Sequence, residues 1–302
     1  MAIQAPAAEL LILCRRYFPH ALDFIMIGRQ WLRLRTEDVQ RLSREHHVDV
    51  NDLADPAGTD TVYAEPLLAR IGLRSIRALD ASAYEGADIV QDLNQPLKPE
   101  LRECCDLLFD GGSLEHVFDF PSAIRNCTQM LRPGGLFITA CPVNNWMGHG
   151  FYQFSPELFF RVFSPSHGFE PRFAALHVRA GKTDRFWSIK DPEETGKRLQ
   201  YNPTGRMTLL FVAEKKSGEN SAFTVQQSDY SARWKNKILD GGGVPDPAAA
   251  ESLIKQLARH CLPEVMKRAI RDHRVTWRKT LAAESVMRPS TSLEELWKQW
   301  NP

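Results

Sequence analysis

The sequence has no C-x-x-C pair, and none of its six cysteines (Cys14, Cys104, Cys105, Cys127, Cys141 and Cys261) has a histidine at zinc-finger spacing. This excludes the common structural zinc modules and a disulfide scaffold, so reduced thiols are expected. Charge of one sign is also missing: 38 Lys plus Arg stand against 37 Asp plus Glu, a formal charge of +1. A protein built to grip phosphate backbones would show a basic excess, so no nucleic-acid partner is expected. Long hydrophobic runs are absent as well. The apolar patch Leu10 to Leu13 follows Glu9 and precedes Arg15 and Arg16, and it is too short for a membrane span or a signal core. A cytoplasmic protein is the default expectation. No internal repeat is evident, and an apolar content of 43% with 25% charged residues excludes disorder.

What is present fits one large α/β domain with an appendage, in 302 residues. From Phe24 to Ala213, short apolar runs alternate with amphipathic segments. FIMIG (24–28), SIRALDAS (75–82), ADIVQDL (87–93), CDLLFDGG (105–112) and LFITACP (136–142) read as five strands. Helix patterns at Leu114 to Phe118 and Pro121 to Leu131 separate the later ones, and Ser155-Pro156-Glu157 is a good helix start. RFAALHVR (172–179) and MTLLFVAEK (207–215) add two strands around a polar insertion. The expected fold is therefore a seven-strand, mostly parallel Rossmann-like sheet with helices on both faces. The expected division is an N-terminal lead-in (1–23), the α/β domain (24–216), and a linker with basic C-terminal helices (217–302). Between Glu251 and Thr280 eight Lys or Arg meet three acids. That stretch is either a solvated basic face or a surface for a protein partner.

Acids end three consecutive strands: Asp80, Asp92 and Asp110. Ligands of open α/β sheets bind beyond those strand ends. A carboxylate at Asp80 can accept both hydroxyls of a ribose, and one at Asp92 can accept from the amine of an adenine. Asp110 is expected to face the reacting end of the ligand. Each acid also has a bland reading, as the cap of its own turn.

DLLFDGGSLEHVFD (106–119) followed by MLRPGGLFITACP (130–142) resembles the class I S-adenosylmethionine-dependent methyltransferases, with Gly134-Gly135 as the tight turn from helix into strand. The resemblance spans residues 24–213. It implies S-adenosylmethionine as cofactor, a contact set of Gly28, Arg29, Asp80, Asp92, Leu93, Asp110 and Gly111, and a small-molecule methyl acceptor. The chain departs from the family in its first loop, Gly28-Arg29-Gln30-Trp31, which has one glycine. It departs again in the 52 positions from Gly28 to Asp80, where a simple strand-helix-strand unit needs roughly 20. A helical cover over the cofactor site or a degenerate loop would account for that insertion.

The segment NNWMGHGFYQFSPELFF (144–160) sets Asn144, Asn145, His149 and Tyr152 directly after the fifth strand, with Gly148 and Gly150 flanking the histidine. This composition suits a substrate-binding lid. His149 is the first choice for general base because imidazole titrates near neutral pH. His116 is the second choice, and Asn144, Asn145 and Tyr152 are expected to orient the acceptor. In some class I methyltransferases a Glu-His pair at the place of Glu115-His116 binds a divalent cation, with a further glutamate where this chain has Gly112. Without that glutamate no metal is expected, and a packing role is assigned to the pair. His46, His47, His167 and His177 are read as surface or core residues. The expected activity is methyl transfer to an oxygen or nitrogen of a small molecule, a sugar or secondary metabolite by the resemblance. The alternative is a non-catalytic protein of the same fold that acts through a partner.

Overall fold

The computed structural model describes residues 2–55, 62–180, 183–195, 198–199, 201, 205–217, 225–228, 230 and 287–301. The chain divides into two units: residues 1–189, 203–224 and 289–302 form the first, and residues 190–202 and 225–288 the second. The basic stretch 251–280 and Cys261 lie outside the described residues.

The central sheet has nine strands, where the sequence reading expects seven. In chain order they are β2 (Asp23–Ile27), β4 (Ser75–Asp80), β5 (Ile89–Val90), β6 (Cys105–Asp110), β7 (Leu131–Asn144), β8 (Phe169–Ala180), β9 (Thr183–Ile189), β10 (Met207–Lys215) and β11 (Met287–Ser290). Two short strands outside it, β1 (Ala2–Gln4) and β3 (Trp31–Arg33), pair with each other in parallel. The sheet runs β11-β9-β8-β10-β7-β6-β2-β4-β5. All seven expected strands are present. The additions are β9, in the segment read as a polar insertion, and β11. Alternation identifies a strand poorly when Asp184 and Arg185 sit in it, so only pairing with β8 reveals β9.

The middle strand β2 explains the parallel core. Phe24, Ile25 and Met26 are wholly buried, because a strand covered on both faces needs apolar residues at successive positions. It pairs in parallel with β4 on one side and with β6 on the other. From β2 the chain moves outward through β4 and β5, then returns to β6 and β7 on the opposite side. The order therefore reverses between β2 and β6, which is where such sheets bind ligands. Beyond β7 the sheet turns antiparallel, with β10 inserted between β7 and β8.

At the N-terminal ends of these strands Asp106 accepts the backbone N–H groups of Leu22 and Asp23, both at 3.0 Å, and Arg132 at 2.8 Å. Gly134 takes a left-handed φ of +81°, and Gly135 makes room for the neighbouring strand. A Cβ on Gly135 would come within 2.8 Å of the Asp106 carbonyl oxygen. The expected tight turn is thus an excursion inside β7, between register partners Leu131 and Leu136.

Helices α1 (Ala5–Tyr17), α2 (Thr36–His46) and α3 (Glu65–Arg70) join one face of the sheet in the main apolar core. Helix α1 is buried at every position from Ala5 to Cys14, as an all-round apolar helix must be. Its buried Glu9 is paired with Arg41 at 2.7 Å. The insertion between β2 and β4 carries α2 and α3, whose Val39, Leu42, Leu67 and Leu68 pack into this core. Helix α4 (Phe120–Met130), capped by Asp119, packs on β6 and β7. The segment expected as a helix at Leu114 to Phe118 is a single 3-10 turn, Leu114–His116. Helix α5 (Pro156–Val162) starts where Ser155-Pro156-Glu157 indicates, and its Phe159 stacks with Phe163 and Phe137. No helix among the described residues is long and apolar enough to cross a membrane.

The last helix, Leu293–Trp300, belongs to the first unit. Its Trp297 is wholly buried, with ring centroids 5.3 Å from Phe173 and 5.6 Å from Tyr17. Trp300 donates its indole N–H to Ser188 Oγ at 3.0 Å. Residues close to the chain end thus cover the outer strands. Trp297→Ala should cost about 3–5 kcal/mol, as for other large-to-small core changes, read as a lowered denaturant midpoint at unchanged slope. An unchanged midpoint would show that this helix does not contribute to the core.

Candidate functional site

Register brings the expected ligand edge together. Ile27 is level with Leu79 of β4 and with Asp110 of β6, so Gly28, Asp80 and Gly111 follow one another across three neighbouring strand ends. Gly28 has φ +68°, a conformation cheap only without a Cβ. Asp80 is half-buried, and its carboxylate takes a 3.3 Å hydrogen bond from the Ser82 N–H. Asp92 lies two residues past the short β5, where its Oδ1 accepts from the Asn94 backbone at 2.9 Å and side chain at 2.8 Å. Both acids thus make the turn contacts of the bland reading. Leu93 is buried.

Asp110 differs from its expected role. It is wholly buried and accepts from Ser113 N–H at 2.8 Å, Leu114 N–H at 3.2 Å and Thr139 Oγ1 at 2.8 Å. Ser113 in turn donates its hydroxyl to the Ile27 carbonyl. Burial raises the Asp110 pKa against these donors. Asp110 therefore holds the strand ends together and faces inward, away from any ligand.

The first loop is bridged. Arg29 pairs with Glu65 at 2.7 Å, donates to the Glu85 carbonyl at 3.2 Å and lies 3.9 Å from the centroid of Tyr63. Buried Gln30 folds back to donate to Ile27 and Gly28 carbonyls at 3.0 and 3.3 Å. A Cβ on Gly111 would meet the Gln30 side chain at 2.8 Å, so glycine there is a close-packing requirement. Arg29 thus spans the gap between the β2 and β4 loops, beside Gly28 and Asp80.

Next to this edge lies a cavity of about 520 Å³, within the usual range for small-molecule sites. Gly111, Gly112, Glu115, Cys141 and His149 line one part of it. Of the expected catalytic residues His149 lines the cavity, and the others do not. Asn144 accepts the Asn145 N–H at 2.9 Å, and Asn145 donates to the Gly205 carbonyl at 2.7 Å. Tyr152 gives its hydroxyl proton to the Phe118 carbonyl at 2.6 Å. These three build the loop around His149. Gly150 serves the same end, since a Cβ there would strike the Glu115 carbonyl oxygen at 2.8 Å.

Glu115, read in sequence as a packing residue, is the main surprise. It is wholly buried, and neither carboxyl oxygen has a hydrogen-bond partner among the described residues. Its Oε1 lies 3.4 Å from His149 Nε2. Burial first, and the nearby Asp110 second, push its pKa up to about 8. His116 packs edge-on to His149 at 5.0 Å between centroids, and its pKa is lowered by desolvation and then by His149. Glu115, His116 and His149 each offer a donor atom within 4.8 Å of the others. Two imidazoles and a carboxylate suit zinc better than magnesium, with a water completing the set. The cavity's other wall holds Arg33, Arg179, Arg206 and His177, none of them anticipated. Arg33 is on β3, His177 and Arg179 are on β8, and Arg206 directly precedes β10, so no local pattern gathers them.

No family model matches the chain, and no curated protein matches it in sequence. Solved structures similar to it include class I S-adenosylmethionine-dependent methyltransferases, at the level of the fold. The citrinin polyketide synthase CMeT domain is 12% identical with a TM-score of 0.35, over 65% of this chain and 47% of that one. The chain thus spans about half of that structure. A 1,6-didemethyltoxoflavin-N1-methyltransferase from Burkholderia thailandensis, with S-adenosylhomocysteine bound, is 14% identical at TM-score 0.39, over 70% of this chain and 79% of that one. The branched-chain polyamine synthase of Thermus thermophilus, in complex with 5'-methylthioadenosine, is 15% identical at TM-score 0.36, over 74% of this chain and 60% of that one.

The raised pKa of Glu115 has a consequence for stability. A carboxyl that holds its proton more tightly when folded stabilises the fold below its ordinary value of 4.5, and that stability is lost as pH rises toward about 8. Within that window the loss is at most about 1.4 kcal/mol per pH unit. Glu115→Gln should flatten the pH dependence of the melting temperature there. An equal slope in wild type and variant would remove Glu115 as its source.

Proposed function

We propose that the protein transfers a methyl group from S-adenosylmethionine to an oxygen or nitrogen of a small molecule. The observation that carries this reading is the juxtaposition of two features at the strand-order reversal. One is the Gly28–Asp80 edge, and the other is the cavity containing His149 paired with Glu115. The cofactor supplies a methyl group already activated by its sulfonium. The chain's own work is binding, orientation and removal of one proton. Asp80 keeps acceptor capacity for ribose hydroxyls, since the Ser82 N–H occupies only part of it. Gly28 lets a ligand approach the backbone. Asp92, beyond β5, can accept an amine.

His149 serves as the base. Its Nε2 lies 3.4 Å from Glu115 Oε1, and the tautomer with the ring proton on Nε2, directed at Glu115, leaves Nδ1 to receive the acceptor's proton. Trp146 packs against the ring, 5.2 Å from the His149 centroid.

One observation favours a second reading, a non-catalytic protein of this fold. Arg29, next to Gly28 in the loop that the reading gives to the cofactor, is already engaged by Glu65, the Glu85 carbonyl and the Tyr63 ring. Calorimetry with S-adenosylhomocysteine separates the two readings: saturable binding supports the enzyme, and none supports the second. Asp80→Ala should then weaken binding by roughly thirty- to a thousand-fold, because two hydrogen bonds to a charged acceptor are lost. His149→Ala should leave that affinity alone and lower turnover by about 10²–10⁴-fold. Unchanged turnover would take His149 out of the mechanism.

A further inference from the structure

We propose that the acceptor bound in this cavity carries an oxyanion, a carboxylate or a phosphate, held by Arg33, Arg179 and Arg206. As an account of the acceptor, the proposal rests on the methyl-transfer reading. As an account of what the cavity binds, it rests on the cavity alone. Among the described residues the lining holds three guanidinium groups against a single carboxyl, that of Glu115. Even with that carboxyl counted as ionised, the excess is two positive charges. Such an excess in a small concave site attracts an anion.

The register sharpens the argument. Met207 of β10 is level with Val178 of β8 in an antiparallel pair, so Arg206 stands opposite Arg179 just beyond them. Like charges opposed across neighbouring strands are destabilising, and an anion between them turns that repulsion into attraction. His177 and Thr208 are also register partners and also line the cavity, which places all four side chains on one face of the sheet. Asp184 bonds His177 Nε2 at 2.8 Å and is not itself in the lining. It is also the register partner of Arg179 across β8 and β9 and acts on that guanidinium electrostatically, so with Asp184 counted beside Glu115 the three guanidinium groups keep an excess of one positive charge. Arg33 comes from outside the sheet, on β3 level with Gln4.

Trp146 joins this subsite to the chemistry. Arg206 lies 4.7 Å from the centroid of its ring, and His149 packs against the same side chain. Its indole N–H is pinned to the Met207 carbonyl at 2.8 Å. A ligand anchored by its anion at Arg206 and Arg179 would present its nucleophile to His149 across roughly the width of an indole. Planar guanidinium groups grip carboxylate and phosphate by paired hydrogen bonds, so both ligand types share this chemistry.

The test titrates the full chain with inorganic phosphate and with succinate, each with and without S-adenosylhomocysteine, and compares Arg206→Gln and Arg179→Gln. The expected result is saturable binding of at least one anion, weakened about tenfold or more in each variant. The preferred anion then assigns phosphate or carboxylate. Arg206 is exposed, so its variant carries the test if Arg179→Gln proves unstable. Absence of binding by both anions overturns the proposal, as does equal binding by wild type and Arg206→Gln. Anion binding without S-adenosylhomocysteine binding would instead retain the anion subsite and remove the methyl-transfer reading.

Discussion

The C-terminal edge of the parallel strands depends on one buried carboxyl group. Asp110 ends β6, and its oxygens accept from the turn that follows and from Thr139 of β7. Ser113 in that turn reaches across to the end of β2. Three strand ends are therefore locked into one register by hydrogen bonds out of water, where an unmade bond is expensive. The turn so fixed leaves Gly111 and Gly112 facing the cavity and sends Glu115 into its wall. The His149 loop then joins the same turn through Phe151 N–H, which donates to the Glu115 carbonyl at 2.7 Å.

A second constraint runs through the glycines. Gly111 yields to Gln30, Gly150 yields to Glu115, and Gly135 yields to Asp106. Each is a place where a backbone or side chain from elsewhere in the fold occupies the volume of a Cβ. Such contacts make the edge stiff. The bridging Arg29 contrasts with them: it is held by half-buried partners and a ring face, and interactions of that kind are individually weak. The molecule thus combines a rigid cavity floor with a displaceable side chain over the neighbouring edge.

The fold was legible where burial imposes a simple pattern. FIMIG reads as a two-sided buried strand because β2 is one, and Ser155-Pro156-Glu157 announces a helix because its requirements are local. The runs ending at Asp80 and Asp110 were legible for the same reason. The strand β9 was not, since Asp184 and Arg185 sit on a sheet margin where polar residues are tolerated. The last helix was not read as part of the core either, because nothing local ties Trp297 to Phe173. In the site, the glycine-flanked His149 stood out from its composition, whereas Asn144, Asn145 and Tyr152 drew attention through chemistry that the loop spends on its own backbone.

By itself, then, the sequence determined the alternating α/β order, the run of buried parallel strands, the acids at their ends and the histidine loop. Each of these follows from propensity, periodicity or the geometry of a few adjacent residues. Only the tertiary structure decided that Asp110 faces inward, that Glu115 is a buried carboxyl against His149, and that Arg33, Arg179 and Arg206 share a cavity. Those facts depend on strand register and on a cavity whose arginines stand as much as 173 positions apart in the chain. Whether an acid is a cap or a ligand, and whether three arginines are surface charges or one site, is set by what lies opposite them across the sheet.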